Sequence, residues 1–344
     1  MQDTVLITLG RLPKGLELAT ALAHAGCRVI IAEPWAWHLS RVSRAVSRSF
    51  AVTAPNTDVA AYHADLCDII DREGVRLVVP VSEETLHVAA LADRLPADTT
   101  LYCMEQSVLL GLHDKLSFIR TAQAYDLPVP ETFALDSDEA RAFAASRPHI
   151  IKPTLSSAGH GVSLRAAGEA LPTPTAPAIV QAYLPGEELS SFSIAHAGRV
   201  IGTVIYRGLI VSGSVAVCFE SVPDPDPAML AWIEHFVSRT GHSGFIAFDF
   251  RRDENGQALP IECNPRTTSG IHFVDPRDLA AAILDPAAQN PFRLRDERIL
   301  QQFYPALTET QGAALKGRTW RPNMRYLFRC RDVTWAWRDP LPFL

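Results

Sequence analysis

Two carboxylates and an amide are spaced along a short segment in a way that could bind a divalent cation. Asn255-Gly256 is typical of a two-residue type I′ hairpin turn, and that turn places Asp249 directly opposite Glu262 on the neighbouring strand. Asn264 falls on the same face as Glu262, because strand side chains alternate with period two. Two facing carboxylates repel unless one is protonated or a cation lies between them, and hard oxygen ligands suit Mg²⁺. For this segment alone, a solvated acidic face is equally consistent.

The same pairing predicts which side of the hairpin faces the core. Pro260 falls at a position that needs no hydrogen bond to the partner strand, which proline tolerates only at a sheet edge or a bulge. The opposite face from the acids is apolar. Its predicted members are Phe248, Phe250, Leu259, Ile261 and Cys263.

A lysine followed by a loop of small residues could bind phosphate. Lys152 ends a short apolar run just before the small-residue segment 156–162. Gly159 and Gly161 permit positive φ and a close backbone approach, and successive N–H groups in such a loop can form an anion-binding concavity. A lysine adds a point charge for phosphate. Alone, a loop of this kind is more often a simple turn.

The elements that carry these residues alternate along the first hundred positions. Strand-like runs are interleaved with helical patterns, which predicts a parallel, doubly wound sheet and an α/β fold. The turn at 10–15 is not a Gly-x-Gly-x-x-Gly sequence, so a dinucleotide fingerprint is absent. Residues 178–264 read mainly as strands. The predicted strands are 5–9, 28–32 and 76–81, and the predicted helices are 16–25, 65–73, one through Leu86 and Leu91, and 229–239.

Composition excludes several classes of protein. The chain has 344 residues, a net charge of −6 and 47% hydrophobic residues, which is ordinary for a globular protein and unfavourable for a general nucleic-acid binder. None of the six cysteines forms a Cys-x-x-Cys pair. No apolar run approaches the roughly 20 residues that a membrane helix needs, and the N-terminus lacks secretory features. We expect a cytoplasmic protein that acts on neither nucleic acid nor membrane.

Taken together, six ordered motifs resemble the ATP-grasp superfamily, and within it the carboxylate–amine (or thiol) ligase branch close to the carbamoyl-phosphate-synthase-like members. The resemblance covers roughly residues 1–285. The first motif is His113-Asp114-Lys115 before a helix together with Leu127-Pro-Val-Pro-Glu-Thr. The other five are Ile151-Lys152-Pro153, Ser156-Ser-Ala-Gly-His-Gly-Val, Val180-Gln-Ala-Tyr-Leu-Pro-Gly-Glu-Glu, Phe248-Asp-Phe and Ile261-Glu-Cys-Asn-Pro-Arg.

The resemblance implies ATP and Mg²⁺ as the nucleotide and the metal, with Asp249, Glu262 and Asn264 holding the metal. Two lysines would contact the phosphates, the loop would close over them, the hinge backbone would hold adenine and Glu188 the ribose. The implied ATP contacts are Lys115, Lys152, Ser156, Ser157, Gly159, His160, Gly161, Gln181, Ala182, Tyr183, Leu184 and Glu188.

On the substrate side, the resemblance implies that Arg266 contacts the transferred phosphoryl group or the substrate carboxylate, so that Lys152 and Arg266 form the catalytic pair. Glu83 would bind a substrate amine, although a charge at a helix N-terminus is an equally good reading. Thr268 and Ser269 lie where the acceptor is expected. The general base is open, with His160 and His272 as candidates.

The implied fold is a preATP domain at 1–100, a central ATP-grasp subdomain at 101–178, a C-terminal subdomain with the metal site at 179–290, and a tail at 291–344 that packs on the body. The implied reaction joins a carboxylate to an amine through an acylphosphate and releases ADP and phosphate. A carboxylase, a kinase, a thiol ligase and a non-catalytic ATP sensor are the alternatives. The small acid, the amine and a homodimer are left open.

Overall fold

The computed structural model describes residues 3–156, 159, 161–213, 215–318 and 320–344, which form three sheets with helices packed around them. The mixed α/β architecture expected from the sequence is confirmed. The four-part division of the chain stays a prediction. No helix in the described ranges is long and apolar enough to cross a membrane.

The first sheet is entirely parallel, in the order β3-β2-β1-β4-β5, as the alternating pattern predicted. Helix α1 has proline at its first turn, and α2 begins at an Asp58 side-chain cap and ends at left-handed Gly74. The helix predicted through Leu86 is a single α-turn flanked by 3₁₀ turns. The elements are β1 (Thr4–Thr8), α1 (Pro13–His24), β2 (Arg28–Glu33), β3 (Arg48–Ala51), α2 (Val59–Glu73), β4 (Val75–Val79), α3 (Thr85–Val88) and β5 (Thr100–Leu101).

The second sheet is antiparallel, in the order β6-β9-β7-β8. The small-residue segment 156–162, called the phosphate-loop segment below, lies between β7 and β8 in the sequence. Helix α5 begins at an Asp114 cap whose carboxylate accepts from the Ser117 amide at 2.8 Å. The elements are α4 (Gln106–His113), α5 (Lys115–Ala124), β6 (Thr132–Ala134), α6 (Asp138–Ser146), β7 (His149–Pro153), β8 (Ser163–Arg165) and β9 (Ala178–Ala182).

The third sheet has seven strands in the order β14-β13-β10-β11-β12-β15-β16. Its last two strands come from the tail, since β15 pairs with β12 and β16 pairs with β15. The elements are β10 (Glu188–His196), β11 (Arg199–Ser212), β12 (Val215–Ser221), α7 (Pro227–Thr240), β13 (Gly244–Arg252), β14 (Ala258–Asn264), α8 (Pro276–Leu284), β15 (Ile299–Gln301), α9 (Phe303–Leu315), α10 (Arg321–Arg329) and β16 (Arg331–Asp332).

An aromatic core fixes α5 and α7 against β13. Trp232 stacks on Phe236 with ring centroids 5.2 Å apart and meets Phe248 edge-on at 5.2 Å. Phe118 of α5 packs edge-on against Phe236 at 5.6 Å. Offset and edge-on aromatic pairs add about 0.5–1.5 kcal/mol each beyond the area they bury. This core therefore holds α5, which begins with Lys115, against the strand that carries Asp249.

The β13–β14 hairpin pairs Asp249 with Glu262 as predicted, but by a different route. Its loop has three residues rather than two: the Asp253 amide donates to the Gln257 carbonyl at 2.9 Å, and Gly256 has a φ of +83°. A bulge then skips Ile261, which restores the register before Glu262.

This bulge corrects the predicted core face. Phe248, Phe250 and Cys263 are fully buried, as expected, whereas Leu259 and Ile261 are only half-buried and lie outside that core. Pro260 lies beside the bulge on an edge strand, where the sequence analysis allowed it.

Candidate functional site

Lys115 connects the phosphate-loop segment to β14, which carries the predicted metal ligands Glu262 and Asn264 and is called the metal strand below. It is the first residue of α5 and is 2% exposed. Its Nζ donates to the Ser156 carbonyl at 2.7 Å and lies 3.5 Å from Oε2 of Glu262. An ammonium buried this deeply requires a negative or strongly polar partner, and both neighbours supply one.

Lys152 reaches the same strand from β7. It is 5% exposed, and its Nζ donates to the Ile261 carbonyl at 2.9 Å. Ile261 is the residue skipped by the pairing of β13 with β14, so the bulge provides this acceptor. Burial lowers the pKa of Lys152 to about 8, against the opposing influence of the Glu262 carboxylate.

The two facing acids are held in different ways. Asp249 accepts from the Ser190 hydroxyl at 2.6 Å and from the Asn264 amide at 2.9 Å. Burial raises the pKa of Glu262, Lys115 opposes that rise, and the Asp249 carboxylate adds to it. A cation between the two carboxylates would relieve both the burial and the repulsion.

The donor set fits Mg²⁺ better than a transition metal. Across the described ranges there is no group of three or more His, Cys, Asp or Glu side chains that could hold a metal ion, and the donors that meet here are two carboxylates and one amide. Oxygen ligands in small number, with room for water and phosphate oxygens, are what Mg²⁺ uses. The Asn264 carbonyl oxygen accepts from Arg266 at 2.9 Å and retains a second lone pair.

Arg266 lies between the metal strand and the first sheet. Its Nη2 is 2.7 Å from Oε1 of Glu83, and its Nε is buried without a partner among the described residues. Glu83 follows Ser82, whose positive φ of 60° is uncommon for a non-glycine residue, and the Ser82 amide donates to Thr267 Oγ1 at 3.2 Å. The fold therefore brings together Glu83 and Arg266, the two residues that were predicted to contact substrate.

Residues 112–270 match the family model of the ATP-grasp domain. Residues 112–270 are an ATP-grasp domain. The match ends just after Arg266, and it includes both lysines and the complete hairpin. The family suggested by the six motifs is thus confirmed.

Solved structures agree on the ATP-grasp fold. An L-amino acid ligase from Bacillus licheniformis is 15% identical, with a TM-score of 0.64 over 83% of this chain and 74% of its own. A biotin carboxylase from Campylobacter jejuni is 15% identical, with a TM-score of 0.69 over 86% and 74%. An N5-carboxyaminoimidazole synthetase from Staphylococcus aureus is 15% identical, with a TM-score of 0.67 over 92% and 86%. No curated protein matches the chain in sequence.

The remaining expected nucleotide contacts lie on β9, just after it and at the start of β10. Gln181 is 2% exposed, and its amide donates to Thr132 Oγ1 at 2.9 Å. The Ala182 and Tyr183 amides donate to Glu131 and Pro148 carbonyls, and Leu184 is buried. Glu188 is exposed at the start of β10.

The phosphate-loop segment is only partly described. Gly159 and Gly161 have φ values of 65° and 76°, as their positions predicted. A Cβ on Gly161 would lie 2.9 Å from Pro153, so a larger residue would clash there. Ser157 and His160 lie outside the described residues. Thr268 and Ser269 follow Arg266 into a 3₁₀ turn.

Three residues near this group were given no site role from the sequence. Lys14 donates to Ser82 and Thr267, Glu84 is 6% exposed, and His113 is 8% exposed beside Lys115. Lys14 and Glu84 had no signal beyond their positions just after β1 and just after β4, whereas His113 stood in the His113-Asp114-Lys115 motif. His272, a candidate base, is 1% exposed, with Nδ1 3.0 Å from the Glu17 carboxylate and apart from the group.

Proposed function

We propose that this protein is an ADP-forming ligase that joins the carboxylate of an amino acid or small acid to an amine through an acylphosphate. The observation that carries the proposal is the facing pair Asp249 and Glu262, with Lys115 and Lys152 both contacting the strand of Glu262. Phosphoryl transfer needs positioned cations more than a protein nucleophile, and this group supplies them.

In this proposal, the ATP phosphates lie against Lys115, Lys152 and the segment 156–161, with adenine at Gln181 to Leu184 and ribose at Glu188. Asp249, Glu262 and Asn264 hold the metal. When bound, Mg²⁺ neutralises charge on the transferring phosphoryl group. Lys152 is held to the bulge carbonyl at 2.9 Å, so its charge is positioned before nucleotide arrives.

The ion pair of Arg266 and Glu83 favours an amino acid as the acid substrate. A guanidinium and a carboxylate 2.7 Å apart form a positive and a negative group side by side. An α-amino acid carries the opposite two charges at similar spacing, so its carboxylate can replace Glu83 on Arg266 while its ammonium takes Glu83. Bicarbonate, the acid of a carboxylase, has no ammonium for Glu83. Thr268 and Ser269 would complete this side of the site.

The reaction conserves its atoms in two steps. A carboxylate oxygen forms a bond to the γ-phosphorus as the bond to ADP breaks, which yields the acylphosphate. The amine nitrogen then bonds to the acyl carbon, the carbon–oxygen bond to phosphate breaks, and phosphate leaves with the electron pair and takes the N–H proton that the nitrogen loses. Arg266 orients the carboxylate, and the two lysines offset the phosphate charge.

ADP release tests this function. The protein is incubated with ATP, Mg²⁺ and the twenty standard L-amino acids pooled, and ADP is measured together with product masses. We expect ADP formation and masses equal to two amino acids less one water. ADP formed only with bicarbonate would identify a carboxylase, and ATP binding without ADP release would identify a sensor. Glu262→Ala should lose the activity, whereas Glu254→Ala, an exposed acid of the same hairpin, should retain it.

We also propose that the protein acts in the cytoplasm on small molecules. All six cysteines are free thiols, which fits a reducing compartment. A homodimer stays a prediction.

A further inference from the structure

Lys14 lies where the first sheet meets the loop after the metal strand. It is in the first turn of α1 and is half-buried. Its Nζ is 3.3 Å from Oγ of Ser82 and 3.3 Å from the carbonyl oxygen of Thr267. Thr267 follows Arg266 directly, so Lys14 is adjacent to the residue that orients the carboxylate in the proposed function.

The hydrogen bonds of Lys14 suit an unprotonated amine. A neutral amine has two N–H bonds and one lone pair, and two acceptors are present. With both N–H groups donated to Ser82 and Thr267, the lone pair remains available. A protonated ammonium would have a third donor to satisfy.

The environment of Lys14 also favours its unprotonated form. The charged and titratable groups that face Lys14 are Arg266, Glu83 and Glu84. Burial, and then the Arg266 guanidinium, lower the pKa of Lys14 to about 7, while the two glutamates oppose that change. A base with a pKa near the working pH is the most effective proton acceptor, because it is both available and basic enough.

We propose that Lys14 is the general base that removes a proton from the amine substrate before it attacks the acylphosphate. The inference rests on the ligase function proposed above. The substrate enters as an ammonium, its N–H bond breaks, and the proton bonds to Lys14 Nζ. The freed nitrogen lone pair then forms the bond to the acyl carbon, the carbon–oxygen bond to phosphate breaks, and the departing phosphate takes the second N–H proton and leaves as hydrogen phosphate.

Other groups near the site are less suited to this role. His272 is 1% exposed and engaged by Glu17, which leaves it inaccessible to substrate. His113 is 8% exposed, and burial lowers the pKa of His113 below its usual value, which weakens it as an acceptor from an alkylammonium. Glu83 pairs with Arg266 in the structure and holds the ammonium of the acid substrate in the proposed function, so it is engaged in both states.

Hydroxylamine separates proton removal from every other role of Lys14. Hydroxylamine is largely unprotonated at neutral pH, so it attacks an acylphosphate without a base and leaves a hydroxamate that is measured colorimetrically. The experiment uses the full chain with ATP, Mg²⁺ and the pooled L-amino acids, with and without hydroxylamine. The variants are Lys14→Met, which keeps most of the side-chain length, Lys14→Arg, which keeps the charge but cannot deprotonate, and His113→Gln for comparison.

We expect both Lys14 variants to lose about 10²–10⁴-fold in amide formation, the usual contribution of a general base, and to form hydroxamate at nearly the wild-type rate. The rise of the wild-type amide-forming rate with pH, with a midpoint near the pKa of about 7, should disappear in both.

Equal losses with both nucleophiles would show that Lys14 binds substrate or supports the fold, and would overturn the inference. So would unchanged amide formation, or a selective rescue by hydroxylamine in His113→Gln alone. If the wild type forms neither hydroxamate nor ADP, the ligase function itself fails. The two failures are therefore distinguishable.

Discussion

The buried position of Glu84 predicts how the free energy of unfolding changes with pH. It lies directly after Glu83, is 6% exposed, and faces Glu33 and Glu83 as well as Arg11 and Lys14. Burial raises the pKa of Glu84 from 4.5 to about 8, more strongly than the cations lower it. The folded protein therefore holds this carboxyl protonated across a pH range in which the unfolded chain ionises it.

The direction of the pH dependence follows from that difference. Below pH 4.5 both states are protonated, and Glu84 costs no stability. As the pH rises from 4.5 to 8, the unfolded state loses its proton first, so the free energy of unfolding falls. At about 1.36 kcal/mol for each pH unit, the loss reaches about 3 kcal/mol at pH 7 and at most about 5 kcal/mol above pH 8.

Glu84→Gln removes this titration while it retains the size and polarity of the side chain. Urea unfolding, followed by circular dichroism at pH 5, 6 and 7, gives the free energies of both proteins. We expect the advantage of Glu84→Gln over wild type to grow by about 2.7 kcal/mol between pH 5 and pH 7, which is two pH units at about 1.36 kcal/mol each. Glu254→Gln, at an exposed position, is the control and should follow the wild type. Parallel curves for wild type and Glu84→Gln would refute the argument.

Three further perturbations test the site and its support. Glu262→Gln should raise the Mg²⁺ concentration for half-maximal ADP release at least about tenfold, because losing even a group that only supports a metal ligand weakens metal binding by about that factor. An unchanged Mg²⁺ titration would contradict the assignment of Glu262 as a metal ligand. Lys152→Met should weaken ATP binding by about 10–100-fold in calorimetry, because a hydrogen bond to a charged group contributes about 1.5–3 kcal/mol; wild-type affinity would remove Lys152 from the nucleotide site. Trp232→Ala should lower the free energy of unfolding by about 3–5 kcal/mol, since its ring is 4% exposed within the aromatic core; a loss below about 1 kcal/mol would be inconsistent with that packing.

The hairpin shows how far local rules carry a prediction. Asn255-Gly256 located the turn, and period two located the acids, so the pairing of Asp249 with Glu262 was predicted from sequence. The loop length and the straight ladder were both wrong, and the two errors cancelled, because one extra loop residue is compensated by the bulge at Ile261. That bulge meets Lys152 from a different sheet, a contact 109 residues away that no local pattern contains.

The substrate side was harder to predict, because its contacts also join residues that are far apart in the sequence. Glu83 was named through the family resemblance, and its role stays a prediction; the structure places it just after β4, which pairs with β1. Lys14 carries no motif, and its contact with Thr267 spans 253 residues. Strand β3 was missed because it includes the exposed Arg48 and has one buried side chain, so its sequence lacks an apolar run.

The tail strands complete the sheet that carries the acids. Hairpin β13–β14 forms one edge of the seven strands, and β15 covers β12 near the other. Without β15, the N–H and C=O groups of β12 would form an open template for another chain to pair with, a common route to aggregation. The last fifty or so residues thus cover a strand that could otherwise pair with another copy, and we expect a chain that ends before β15 to precipitate.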